Sequence, residues 1–160
     1  MYKSSTLHVQ GLLQELMRFV EEGMTVPFCL CIYDVIHNPH DALAIKNTLE
    51  LFPNIDIRVA IMSGNNSNAL LAAAAVPAEK RYITSQGIFS FSKPVYVGQG
   101  SYKDLKIAAE AQKMLEVRID EILDKAYKLP KSSHEMHKEQ EIVRAEAVRG
   151  YGFQDYKEIL

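Results

Sequence analysis

Apolar residues at helical spacing, Leu12, Leu13, Leu16, Met17 and Val20, predict a first helix from about Thr6 to a stop at Gly23. The next run, Val26-Pro27-Phe28-Cys29-Leu30-Cys31-Ile32-Tyr33, is apolar on both faces, as a strand inside a parallel sheet must be. Asn38-Pro39-His40-Asp41 then supplies an N-cap, a first-turn proline and a first-turn acid for a second helix with the stripe Ala42, Ile45, Leu49 and Phe52. A second strand, Ile57 to Met62, leads through Ser63-Gly64 into a small-residue helix closed by Pro77. Short β-like stretches follow at 81–84 and 88–91, parted by the turn Ser85-Gln86-Gly87.

This alternation calls for right-handed crossovers and an α/β fold with a mostly parallel sheet. Beyond Gly98-Gln99-Gly100 the pattern changes. Ser101 and Asp104 open a long helix through Lys128, with Leu105, Ala108, Leu115, Ile119, Ile122 and Ala126 three and four apart. At 1.5 Å per residue it would span roughly 40 Å, more than such a sheet needs, so its apolar stripe is suited to docking on another subunit. Leu129-Pro130-Lys131-Ser132 breaks the pattern, and Ser132 with Glu135 opens a further helix ending at Gly150-Tyr151-Gly152, before a short extended tail to Leu160. With neither repeats nor linkers, residues 1–160 read as one domain: a head over 1–100, the long helix over 101–128 and a C-terminal helix and tail over 129–160.

In parallel sheets, sites form at the carboxyl ends of strands, so the loops 33–38 and 63–67 are expected side by side. Ser67 falls near the start of its helix, where unpaired backbone N–H groups and the helix dipole favour developing negative charge. A nucleophile belongs there, although Asn65, Asn66 and Ser67 also suit simple capping. Composition narrows the partners: a net charge of −2 with no basic cluster gives nucleic acid or an anionic membrane nothing to bind. Cys29 and Cys31 fall on one face of a strand and read as reduced thiols, no stretch approaches a membrane span, and the polar start is unlike a secretory signal, so a cytoplasmic protein is expected.

Taken in this order, the chain resembles the ClpP family, the proteolytic subunits of ATP-dependent Clp protease, serine peptidases on the ClpP/crotonase fold. With Ser67 on the family's nucleophile, Leu70 to Ala75 falls close to its Leu-Leu-x-Ala-Gly-Ala segment and Lys80-Arg81-Tyr82 on its Lys-Arg-aromatic. Pro94 meets the proline after its catalytic histidine, and Gln99-Gly100 with Asp104 meets the start of its long handle helix. Arg118-Ile119-Asp120-Glu121-Ile122-Leu123 looks like that helix's Arg-hydrophobic-Asn/Asp-Glu-Ile-Leu, while Glu146-Ala147-Val148 and Tyr151-Gly152 with Asp155 are similar to the family's closing motif with one extra residue. The resemblance implies a β-α-β spiral, a projecting handle helix and ring assembly; no cofactor or metal is expected from the residues themselves.

The departures shape the expected activity. Ser92 stands where the family has its histidine, and its aspartate falls near Glu141, or on Gln140. Its glycine turn, the source of one oxyanion donor, is replaced by Val35-Ile36-His37-Asn38, and the residues after the nucleophile are Asn68-Ala69. The family's pore loop and first strand have no counterpart before Leu7, which sets docking to a Clp ATPase in question. The expectation is a ClpP-like protein with its nucleophile kept and its general base lost, unreactive toward serine-directed probes. It would act as an oligomeric structural or regulatory subunit, alone or with active ClpP-type subunits. The alternative is an active serine peptidase or hydrolase with a substitute base such as His37, or a crotonase-like acyl-thioester enzyme with oxyanion donors at Asn38 and Asn68.

Three other groupings carry less. Lys93 beside Ser92 has no burial to make it a base. His134, His137 and Glu141 recur on one helical face that could hold a metal, but three ligands on one helix make an incomplete shell, and Glu135, Lys138 and Glu139 around them read as a solvated charged surface. Gly98-Gln99-Gly100 lacks the strand-turn-helix context of a phosphate loop.

Overall fold

The computed structural model describes residues 9–93 and 96–159. The expected helix start at Thr6 and the proline match at Pro94 lie outside the described residues. The fold is α/β. Helix α1 (Val9–Glu21), strand β1 (Phe28–Ile32), helix α2 (Pro39–Glu50) and strand β2 (Ile57–Ile61) follow the expected alternation. Gly23, at φ 63°, stops α1, and Asn38 caps α2 with Pro39 in its first turn.

Strand β2 pairs in parallel with β1, Phe28 opposite Ile57, and with β4 (Arg81–Ile83), Val59 opposite Arg81. Strand β7 (Gln154–Asp155) joins β4 in parallel and completes a four-stranded sheet, so part of the tail is structural. Phe28, Leu30, Ile32, Val59 and Ile61 from this sheet share one core with Leu12 and Leu16 of α1, Ile45 and Leu49 of α2, and Leu70 and Leu71 of helix α3 (Ser67–Ala73). No helix among the described residues is long and apolar enough to cross a membrane.

A second sheet, unforeseen in the sequence, sets the site. Beyond β2 the chain forms β3 (Asn65–Asn66), which runs parallel to β5 (Ile88–Ser90). That pairing needs glycine at Gly64, where a Cβ would lie 2.8 Å from the Ile88 carbonyl oxygen. Strand β5 also pairs antiparallel with β6 (Ile142–Arg144).

Helix α4 (Tyr102–Ala126) begins at the expected capping box of Ser101 and Asp104. The single helix expected from Ser132 to Gly150 is instead two, α5 (Ser133–Lys138) and α6 (Ala145–Gly150), with β6 between them. Gln140 adopts φ 51°, and the Glu141 N–H returns to the Met136 carbonyl at 3.1 Å, a helix-ending hydrogen bond. Ile142 and Val143 are β-branched and continue as strand, where pairing with β5 outweighs the helical pattern.

Candidate active site

Ser67 is the first residue of α3, delivered by β3 and 5% exposed. Its neighbours come from the second half of the chain. Helix α5 folds back after Leu129-Pro130, and its inward face carries Ser133, Met136 and His137, all buried. Asp120 projects from the adjoining stretch of α4, its side chain 15% exposed.

These groups form a continuous line. Ser67 Oγ lies 2.8 Å from His137 Nε2, and His137 Nδ1 lies 3.0 Å from Asp120 Oδ1. With its proton on Nδ1 directed at the carboxylate, the imidazole leaves the Nε2 lone pair to accept from the Ser67 hydroxyl, the arrangement of a nucleophile, a base and an orienting acid. The Phe91 ring stands 5.5 Å from the imidazole and closes its apolar side.

Burial pushes the Asp120 carboxyl upward, but hydrogen bonds from His137 and Ser133, with the positive charge the two neighbouring histidines can carry, outweigh it and hold the group below its ordinary range. Asp120 is therefore ionised wherever the imidazole would work as a base. A small cleft, open to solvent, covers the Ser67–His137 pair. Pro39, Tyr96 and Ile119 give it apolar wall, and Lys93 and Glu116, paired at 3.6 Å, give it charge. Gln112 Nε2, also in this wall, is buried without a protein hydrogen-bond partner among the described residues.

The expectation that no imidazole reaches Ser67 is overturned by His137. His37 is exposed, and Ser92, which the ClpP resemblance sets at the histidine position, is an exposed residue that lines the cleft. Glu141 pairs with Lys131, and its backbone carbonyl accepts from the Phe91 N–H at 2.8 Å, so the orienting carboxylate is Asp120. The helical face expected to hold His134, His137 and Glu141 is divided: His134 is exposed, His137 buried, and Glu141 lies beyond the end of α5.

Of the two amides expected as oxyanion donors, that of Asn68 is engaged: its N–H donates to Asn66 Oδ1 at 3.0 Å. An oxyanion would have to compete with that cap. Asn38 caps α2, its side chain accepting from the His40 N–H at 2.9 Å. Asn65, Asn66 and Asn68 also donate to the Asp34 and Ile36 carbonyls, which fastens the 34–36 loop beside Ser67, so the two loops do lie together.

Arg81 locks the frame beneath. Buried at 4% exposure, it donates from Nε to the Ala73 and Val76 carbonyls and from Nη1 to the Ala126 carbonyl, joining the C-terminal ends of α3 and α4. Its guanidinium stacks 4.5 Å from the centre of the Tyr127 ring, and the Tyr127 hydroxyl donates to the Leu70 carbonyl at 2.5 Å. Compared with protein-family models and with curated proteins, the chain matches none.

Proposed function

We propose that the protein is a serine hydrolase performing acyl transfer, with Ser67 as nucleophile, His137 as general base and Asp120 as the acid that orients and charge-balances the imidazole. The observation that carries this reading is the unbroken Ser67–His137–Asp120 chain of hydrogen bonds at 2.8 and 3.0 Å, beneath an open cleft. In the forward step Ser67 Oγ bonds to the substrate's carbonyl carbon while its proton passes to His137 Nε2, and the carbonyl π electrons move onto oxygen. Collapse of that intermediate expels the leaving group, which takes the proton from Nε2. Water then repeats the sequence and frees Ser67. During attack the Asn66 side chain would have to turn away and free the Asn68 N–H for the oxyanion, a rearrangement confined to one side chain.

The resemblance to the ClpP family makes peptides the substrate class, on a β-α-β spiral whose handle helix is α4. This version would draw its histidine from α5 and its carboxylate from α4. Assembly with further subunits belongs to the same reading. Tyr102, Ile107, Met114 and Val117 of α4 are exposed, apolar surface suited to a second copy. Light scattering at micromolar concentration is expected to give a mass above that of one chain.

The chemistry is tested by a fluorophosphonate probe, which needs the nucleophile and base but no knowledge of the substrate. Stoichiometric labelling at Ser67, abolished in Ser67→Ala, is the expected result. An unlabelled folded protein would remove the hydrolase reading and restore the structural-subunit one.

A further inference from the structure

We infer that Ser133 is a positioning residue for the base, holding the Asp120–His137 pair in register and tempering the basicity of the imidazole through the carboxylate. The inference rests on the acyl-transfer reading above. Ser133 is fully buried, and its hydroxyl donates to Asp120 Oδ1 at 2.7 Å while lying 3.2 Å from His137 Nδ1. It therefore occupies the angle between the two groups whose alignment decides whether Nε2 faces Ser67.

The backbone of the same residue is also held. Its N–H donates to Asp124 Oδ1 at 2.7 Å, and Asp124 lies one turn beyond Asp120 on α4. Ser133 and His137 are likewise one turn apart on α5. Two carboxylates of one helix thus clamp the start of the other, and the imidazole is placed by the clamp. Removing the hydroxyl leaves the backbone half of it intact, so the variant Ser133→Ala separates alignment from folding.

The direction of the effect follows from the two contacts. The hydroxyl's donation to the carboxylate is the shorter, and it spreads part of the negative charge that would otherwise face the imidazole. Without it Asp120 faces His137 with that charge undivided and favours imidazolium, so the base is lost to protonation at a higher pH. Among the described residues, the other ionisable groups around the pair include His134 on α5, Glu116 and Asp124 on α4, and Lys93 and Tyr96 beyond β5, while α3 presents neutral groups; all are unchanged in the variant.

The test is the pH dependence of fluorophosphonate labelling at Ser67 in the full chain, with the maximal rate and the half-saturating probe concentration resolved. For Ser133→Ala the expected result is a fall in maximal rate of about 5- to 50-fold, an unchanged half-saturation, and an acidic limb moved up by a few tenths to one pH unit. Ser133→Thr, which keeps the hydroxyl, is expected to restore the limb to its original position. A variant Ser133→Ala with wild-type rate and limb would overturn the inference, as would a change confined to half-saturation. A wild-type protein that the probe does not label at all would overturn the hydrolase reading first, and the two failures are distinct because the second leaves the wild type reactive.

Discussion

Replacing His137 by alanine is expected to slow fluorophosphonate labelling of Ser67 by about 10³-fold, within the 10²- to 10⁴-fold range that general-base catalysis supplies. The loss arises because an unassisted serine hydroxyl is a poor nucleophile, and among the described residues the base within hydrogen-bonding distance of Ser67 Oγ is His137, through Nε2 at 2.8 Å. The variant His37→Ala should label at the wild-type rate, since His37 is exposed in the 33–38 loop and the imidazole at the serine comes from α5. Equal labelling in His137→Ala and wild type would mean that the buried hydrogen bond has no part in the reaction. Loss of labelling in His37→Ala would move the base to the loop. Because His137 packs against Phe91 and Ser133, thermal denaturation should accompany each rate, so that a weakened fold is separated from a missing base.

How much of this could be read along the chain differs between the two halves. Strands β1 and β2 and helix α2 announce themselves because their signals are local: apolar runs on both faces, and the Asn38-Pro39 start. Ser67 is legible for the same reason, lying at a strand-to-helix turn. The base is not legible, because what places His137 is tertiary. Its helix is six residues long, and the pattern from Ser132 to Gly150 also fits one continuous helix. Only pairing of Ile142 to Arg144 with β5, more than fifty residues earlier in the chain, breaks that helix and turns α5 inward.

A signal was present in the spacing of Asp120 with Asp124 and of Ser133 with His137, each pair one helical turn apart and separated by the break at Pro130. Such a break folds one helix back on its neighbour, which brings the two pairs face to face. What the spacing lacks is any indication that Ser67 lies at the meeting point. The gapless register of the ClpP resemblance puts Ser92 at the histidine position, and a register along the chain carries no information about a base supplied by a helix that folds back from residues 133–138.

Arg81→Ala is expected to destabilise the fold by about 3 kcal/mol and to slow labelling of Ser67 at temperatures where the variant is still folded. The guanidinium donates to three backbone carbonyls, Ala73, Val76 and Ala126, that close the ends of α3 and α4. The Ala73 and Val76 carbonyls are buried and that of Ala126 half-buried, and a hydrogen bond from a charged donor contributes about 1.5–3 kcal/mol net, part of which solvent at the Ala126 end recovers. The stack on Tyr127, itself parallel to the Phe153 ring with centroids 5.5 Å apart, is lost with the same side chain. The coupling to reactivity follows from geometry. Ser67 begins the helix that Arg81 ends, and Asp120 lies less than two turns before Ala126, so the guanidinium sets how the nucleophile's helix meets the acid's helix. A lysine at 81 should recover little, since one ammonium cannot reproduce the planar fork that reaches both helix ends. Urea denaturation and the labelling rate, measured on Arg81→Ala and Arg81→Lys together, decide the matter: a loss below about 1 kcal/mol in the alanine variant would show that the two helix ends hold each other without the arginine.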